Sequence, residues 1–321
     1  MRIILTGAGG FVGRHLARRL LAEGVDGRPV TRLVLADLAL PDLAPPDLGD
    51  ARVARIAGDL SDPAVRAQLV EGGADVLFHL AALPGGAAAR DPALSRKVNL
   101  DGTLDLIEAV AAAKPVSAPP PRVVYTSTIA VLGHPMPALV DDTTPLRPAM
   151  TYGAHKLMVE VALADYRRQG LVDPVAIRLS GILARPGGAS GLKSAFMSDV
   201  FHALAAGRPY TCPVSSGATI WAMSLDRCVA NLVHAAGMDT GAMPPGGAVT
   251  LPALCFSMGD LVMAIARQTG AEPSLVSYAP DEALEAAFGA YPPLATPAAD
   301  AAGFRHDGTV DALVESALAT L

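Results

Sequence analysis

The chain has 321 residues, 51% of them hydrophobic, and a formal net charge of −6. That length can bury a substantial core in one large domain or two ordinary ones. The cations are scattered rather than gathered into a stripe, which disfavours nucleic acid and anionic membranes as partners, and no apolar run reaches the length of a membrane span.

Residues 2–13 read RIILTGAGGFVG. Ile3, Ile4 and Leu5 form an apolar run too short for a helix, which suits a buried parallel strand. Gly7, Gly10 and Gly13 follow at intervals of three, and the apolar period then turns helical through Phe11, Leu16, Ala17 and Leu20. Strand, glycine turn and helix in this order make a dinucleotide-binding unit. A side chain on the first two glycines would obstruct the turn or the approach of a pyrophosphate, and one on Gly13 would hold the helix off the strand. The helix start would offer free N–H groups to the phosphates. A tight turn with no ligand is the plain alternative.

A second strand, residues 31–36, ends at Asp37, a little over twenty residues past the last glycine. A dinucleotide fold places an acid there for the adenosine ribose hydroxyls, and its charge repels a 2′-phosphate, so NAD is expected rather than NADP. An Asp that merely caps the strand end is the alternative. Residues 38–50, with Pro41, Pro45 and Pro46, read as a surface loop. Residues 52–57 form a strand leading into Gly58, Asp59 and Leu60. Asp62 before Pro63 caps a helix that runs to about residue 71. The strand 74–80 continues into Ala81 and Ala82, small enough for backbone to approach a flat ligand. His79 has no partner at ligand spacing and reads as structural. One long helix over residues 91–113 carries Asn99. After a break at 115–121, the strand 122–126 leads to Ser127 and Thr128, a helix spans 150–169, and a sixth strand spans 174–179.

This alternation predicts an α/β fold with a Rossmann-type doubly wound parallel sheet. Beyond it, Pro186, Gly187, Gly188 and Gly191 are expected to form a flexible loop. Helices follow at 192–206, from Ser224 to about 236, and after Ser257, with short strands near Val249 and Val276. These predict a smaller C-terminal α+β lobe that binds substrate, built across the strand ends. The expected division is an NAD-binding domain at 1–178 and a substrate lobe at 179–321, with residues around 219–237 returning to the first domain. Cys212, Cys228 and Cys255 are too widely spaced for a disulfide framework or a metal site. The expected setting is therefore a reducing cytoplasm, without a metal.

Tyr152 and Lys156 stand four residues apart, on one face of the 150–169 helix. A fixed ammonium stabilises phenolate, so such a tyrosine can take a proton from a substrate hydroxyl near neutral pH. An exposed helix face is the alternative. In combination, Thr6 to Gly13, Asp37, Gly58-Asp59, His79 to Ala82, Asn99, Val124 to Gly133, and Tyr152 with Lys156 resemble the extended short-chain dehydrogenase/reductase family over nearly the whole chain. The resemblance implies a base at Tyr152, with Lys156 lowering its pKa and holding the nicotinamide ribose. It puts the hydroxyl partner at Thr128, with Ser127 the second choice. It implies NAD contacts from Gly7, Gly10, Phe11, Val12, Gly13, Asp37, Asp59, Leu60, Leu80, Ala81, Ala82 and Asn99, as well as Tyr152 and Lys156. It also implies a homodimer through the long helices at 91–113 and 150–169.

Within that family, Ile129-Ala130 replaces the acid–base pair a 4,6-dehydratase needs. The segment after the sixth strand departs from the Asn-x-Tyr-Gly-Pro of many nucleotide-sugar epimerases. The segments at 177–188, 212–214, 221–234, 249–253 and 301–304 are similar to a branch that oxidises the 2-hydroxyl of the four-carbon sugar acid D-erythronate to 2-oxo-tetronate. A hydroxy acid needs a cation for its carboxylate, and Arg185, just past the sixth strand, is the first candidate. Lys193, Ser180, Ser190 and Trp221 are further pocket candidates, Trp221 with core as the stronger alternative, while Arg178 belongs within the fold. A nucleotide-sugar 4-epimerase with tightly bound NAD is the second reading. A non-catalytic NAD-sensing protein is the third, and the intact Tyr, Lys and hydroxyl set argues against it.

Overall fold

The apolar run behind Arg2 becomes the pivot of a seven-stranded sheet. A computed structural model describes residues 1–40, 49–115, 117–186 and 193–321. Among them the strands are β1 (Arg2–Thr6), β2 (Arg32–Asp37), β3 (Val53–Ala57), β4 (Val76–His79), β5 (Arg122–Thr128), β6 (Asp173–Leu179), β7 (Gly181–Leu183), β8 (Tyr210–Cys212), β9 (Thr219–Ser224), β10 (Ala248–Thr250), β11 (Leu254–Ser257) and β12 (Val276–Tyr278). The large sheet runs β10-β6-β5-β4-β1-β2-β3. β1 is parallel to β2, with Ile4 opposite Val34, and parallel to β4, with Ile4 opposite Leu77. Ile3, Ile4 and Leu5 are fully buried, as a strand covered on both faces requires. The strand order reverses between β1 and β4, which is where open α/β sheets bind ligands.

One face of this sheet, through Ile4, Leu77, Val123 and Tyr125, packs on Leu69, Leu106, Ile107, Val110, Val159 and Leu163. These come from the helices Pro63–Val70, Gly102–Ala112 and Thr151–Arg168. Asp62 caps the first of them, accepting from the Ala64 N–H with Pro63 at the opening position. The single helix expected over 91–113 is instead a helical turn Pro92–Ser95, a π-helix Arg96–Asp101 and the helix Gly102–Ala112. A π-turn inserts one extra residue without ending the helix, so the apolar period does not reveal it; Asn99 lies in this turn and is buried.

The chain divides into two compact units: Met1–Val131, Pro148–Arg178 and Val229–Thr250 in the first, and Leu132–Arg147, Leu179–Cys228 and Leu251–Leu321 in the second. The chain thus leaves the first unit at 132–147, inside the stretch 1–178 expected to be one domain, and comes back at 229–250, which overlaps the expected return around 219–237. The strand expected near Val249 in the smaller lobe is β10, which joins the large sheet with Val249 opposite Ile177. A three-residue strand has no period of its own, and its partner decides which sheet it joins. In the second unit, β9 lies between β7 and β11, parallel to the former and antiparallel to the latter, and β8 pairs with β12. Phe196, Phe201, Leu204, Ile220, Phe256, Leu261, Ile265 and Leu313 are part of its core. Its helix Met258–Thr269 starts at the expected Ser257, which forms a capping box with Asp260. Among the described residues, no helix is long and apolar enough to cross a membrane.

Candidate active site

The glycine turn is shaped by what its neighbours exclude. Gly7 has φ +71°, and a Cβ there would lie 2.8 Å from the Ala81 nitrogen and the Leu80 carbonyl carbon. A Cβ on Gly13 would come within 2.1 Å of the Gly7 carbonyl oxygen, so glycine is what lets the helix Phe11–Glu23 close on the turn. At Gly10 the single close neighbour would be Gly7 O at 3.2 Å. Gly10 starts that helix with no side-chain cap, ahead of Phe11 and Val12. The helix therefore presents open N–H groups over a cradle that a side chain would fill, which fits the pyrophosphate of a dinucleotide. Asp37 ends β2 beside the turn. Its carboxylate accepts from the Gly9 N–H at 2.9 Å and the Leu38 N–H at 2.7 Å. It thus does cap a turn, in the position where a ribose-binding acid also belongs.

Behind the glycine turn, Thr6 Oγ1 bonds His79 Nδ1 at 2.8 Å, and His79 Nε2 bonds Thr103 Oγ1 at 3.0 Å. Burial first, and then the Lys156 charge, push His79 down to about 3, so it is a neutral tie between strand and helix. The Ala81 N–H donates to Thr6 Oγ1 at 3.3 Å. Asn99 closes the same loop: Leu83 N–H donates to its Oδ1 at 2.7 Å, and its Nδ2 donates to Leu83 O at 3.0 Å and Ser95 Oγ at 3.2 Å. Asn99, expected to touch the cofactor, also uses its amide to hold the loop that follows Ala81 and Ala82. Asp59 accepts from the Ser61 N–H at 2.8 Å, which heads the causes holding its carboxyl below the usual range, and pairs with Lys97 at 3.4 Å. Leu60 follows it, its carbonyl accepting from Arg66 at 2.9 Å.

Tyr152 and Lys156 lie in the first turns of the helix Thr151–Arg168. Gly153 lets that helix sit close to the 3₁₀ turn Ile129–Val131 that follows β5, because a Cβ there would be 2.4 Å from the Ala130 oxygen. Lys156 is only 1% exposed. Its Nζ donates to Thr126 O at 2.8 Å and lies 4.6 Å from the centre of the Tyr125 ring and 5.7 Å from that of Tyr152. Burial pulls Lys156 from 10.5 down to about 7, with the Glu160 carboxylate opposing. Consecutive β5 side chains point to opposite faces. Thr128, partly accessible, accepts from the Ala130 N–H at 3.1 Å. Ser127 is buried and donates to Glu160. The second-choice hydroxyl is therefore committed to packing the helix on the sheet, and Thr128 is the one left toward solvent. Arg178, as expected, is held inside, bidentate on Glu160.

The substrate candidates lie in the second unit. Trp221 is a correction: it is fully buried in the central strand β9, its Nε1 donates to Pro292 O at 2.6 Å, and its ring meets Tyr291. With the indole N–H already bonded, it is core. Ser180 is buried, and its Oγ has no hydrogen-bond partner. The Arg185 N–H donates to Ser198 Oγ at 3.1 Å, and its carbonyl accepts from His202 at 2.6 Å. Arg185 lines a cleft with Gly181, Leu183, Ser194 and Asp199. Burial dominates at Cys228 and pushes its thiol up to about 12 against the Arg185 charge. Lys193 opens a short 3₁₀ turn and is exposed. Ser190 and the glycine loop at 187–192 lie outside the described residues, as does most of the loop expected at 38–50. Sequence reasoning passed over Tyr125, Glu160 and Gly153. The signal for Glu160 was a carboxylate four residues after Lys156, hence on the same helix face.

A doubly wound sheet with a glycine cradle at its reversal, a strand-end acid, and a buried lysine one helical turn after a tyrosine defines an NAD-binding Rossmann enzyme. Residues 3–220 match the NAD dependent epimerase/dehydratase family, and the chain belongs to it. It is 35% identical to the D-erythronate dehydrogenase of Cupriavidus necator, over 98% of this chain and 97% of that one. The D-erythronate dehydrogenase of Haemophilus influenzae is 29% identical over 84% of this chain and 83% of its own. The crystal structure of a nucleoside-diphosphate-sugar epimerase from Agrobacterium tumefaciens superposes with a TM-score of 0.90 at 33% identity, covering 98% of this chain and 92% of that one.

Proposed function

We propose that the protein is an NAD-dependent dehydrogenase that oxidises the 2-hydroxyl of a four-carbon sugar acid, D-erythronate, to the 2-oxo acid. The observation that carries this is the buried Lys156 ammonium, fixed on Thr126 O and 5.7 Å from the Tyr152 ring, with the partly accessible Thr128 at the end of β5. The full-length similarity to D-erythronate dehydrogenases adds the substrate. NAD, when bound, accepts the hydride that leaves the substrate carbon. The cradle of Gly7, Gly10 and Gly13, with Phe11 and Val12, would hold its pyrophosphate, and Asp37 its adenosine ribose. Asp59, Leu60 and the Leu80-Ala81-Ala82 loop would flank the rest, and Lys156 would hold the nicotinamide ribose. Tyr152, as phenolate, takes the proton of the 2-hydroxyl, with Lys156 stabilising the negative oxygen. Thr128 donates to the reacting oxygen and orients it. Arg185 binds the substrate carboxylate, assisted by Lys193 and Ser180, under the same reading. The first unit, which holds most of residues 1–178, serves chiefly NAD, and the second chiefly the acid.

The test is NADH absorbance with excess NAD and a panel of four-carbon aldonates, D-erythronate first. Acid-dependent NADH production is expected in the wild type, and Tyr152→Phe should collapse it while still binding NAD. A Tyr152→Phe variant with near-normal turnover would sink the assignment. The likeness to the epimerase structure favours one other reading, a nucleotide-sugar epimerase. It would reveal itself by NAD that co-purifies and by UDP-sugar interconversion without net NADH.

We also propose a cytoplasmic homodimer formed through the helices Gly102–Ala112 and Thr151–Arg168. Met158 and Val161, 52% and 65% exposed on the latter, support an apolar contact there. Light scattering should give twice the chain mass, and a monomer at micromolar concentration would rule the dimer out.

A further inference from the structure

Lys156 carries its charge in a closed seat, walled by the Tyr125 and Tyr152 rings and roofed by one carbonyl. A carbonyl and two rings stabilise an ammonium, but burial works against it. The polar and charged groups that face it come from its own helix and from β5, β4 and β6. Its own helix supplies Tyr152 and Glu160, and β5 supplies Tyr125 and the Thr126 carbonyl. β4 supplies the neutral His79, which feels the Lys156 charge. β6 supplies Arg178, by way of Glu160. With Tyr152 in its phenol form, the anion among these groups is Glu160.

Glu160 follows Lys156 by one helical turn and is 4% exposed. Its carboxylate is fully engaged: Arg178 Nε reaches its two oxygens at 3.1 and 3.2 Å, Arg178 Nη2 donates at 2.7 Å, and the Ser127 hydroxyl donates as well. A buried ion pair of this kind is weak as a stabilising device, since apolar residues of equal volume often hold a helix to a sheet as well. What apolar residues cannot supply is negative charge beside the lysine. The same carboxylate acts on Lys156 against the effect of burial.

We propose that Glu160 is a positioning residue for the reaction: its buried carboxylate, fixed by Arg178 and Ser127, is the counter-charge that keeps an ammonium in the Lys156 seat. This rests on the reading of Tyr152 and Lys156 as the reacting pair. The experiment measures the NAD dissociation constant by calorimetry, and kcat/KM, against pH. Two variants are compared with the wild type: Glu160→Gln, and the double variant Glu160→Gln with Arg178→Met, which leaves no unpaired buried guanidinium. In Glu160→Gln, the pH at which NAD affinity and kcat/KM fall as the lysine loses its proton should move down by about one unit, so that NAD binds roughly tenfold more weakly at pH 8. The double variant should move the same way by less, and it carries the test if the single variant does not fold. Limbs that coincide with wild type in both quantities, with only the unfolding midpoint changed, would reduce Glu160 to a structural tie and overturn the proposal. A Tyr152→Phe control separates the failures. If it is inactive while the Glu160 limbs stay put, only this proposal falls; if it is active, the reacting pair itself falls.

Discussion

Replacing Lys156 by Met should make the cofactor-free protein more stable near pH 7 while abolishing turnover. A lysine held at about 7 rather than 10.5 costs the fold roughly 5 kcal/mol for as long as it stays protonated. Methionine has similar volume and no charge, so it removes that cost. It also leaves the buried Thr126 carbonyl without its donor, a loss of about 1–3 kcal/mol, and gives up the contact with the Tyr125 ring, about 2 kcal/mol. The net gain below pH 7 is on the order of 1 kcal/mol, and its pH dependence is the sharper signature. Between the folded value near 7 and the unfolded value of 10.5, the unfolded chain holds a proton at this lysine that the folded chain has released. Wild-type stability therefore rises with pH in that window relative to the variant, by about 1.4 kcal/mol per pH unit. The variant's advantage should be full below pH 7, vanish about one unit higher and turn into a deficit by pH 9. Urea unfolding of both proteins at pH 6.5, 7.5, 8.5 and 9.5 measures this directly. Parallel stability curves, or a variant already less stable at pH 6.5, would refute the argument that the site stores its reactivity as the cost of a buried charge.

Gly13→Ala should weaken NAD binding at least tenfold and lower the unfolding temperature, because its Cβ would fall 2.1 Å from a backbone oxygen that cannot step aside; calorimetric titration with NAD and a melting scan check both. Trp221→Ala should cost about 3–5 kcal/mol of stability, read from urea unfolding, and leave the KM for the acid within about twofold at low temperature; a selective rise in that KM would return Trp221 to the pocket. Arg185→Ala should raise the KM for the sugar acid at least tenfold, the loss expected for one charge-assisted contact, and change that for NAD little; equal effects on both would remove its role in holding the carboxylate.

The nucleotide half of this protein is legible from the sequence because its requirements are local. A glycine at a position such as Gly7, where φ is positive and the neighbours are backbone atoms, is fixed by sterics that act within a few residues and the adjacent strand. Tyr152 and Lys156 share a face because a helix has a fixed period, and the alternation of strands and helices permits few arrangements other than a doubly wound sheet. Contacts between distant segments were not legible. That Ser127 is spent on Glu160 follows from which face of β5 the helix Thr151–Arg168 covers, and that Asn99 clamps Leu83 follows from a π-turn that leaves no mark on the apolar period. Trp221 reads more readily as core than as pocket, but only the placing of β9 between β7 and β11 decides it, and the residues 248–250 carry no sign of which sheet they extend. The sequence thus determined which chemistry the chain can perform. The tertiary structure decided which of two neighbouring hydroxyls is left accessible and which side chains support the site from behind, because burial and pairing are properties of packed neighbours rather than of residues in order.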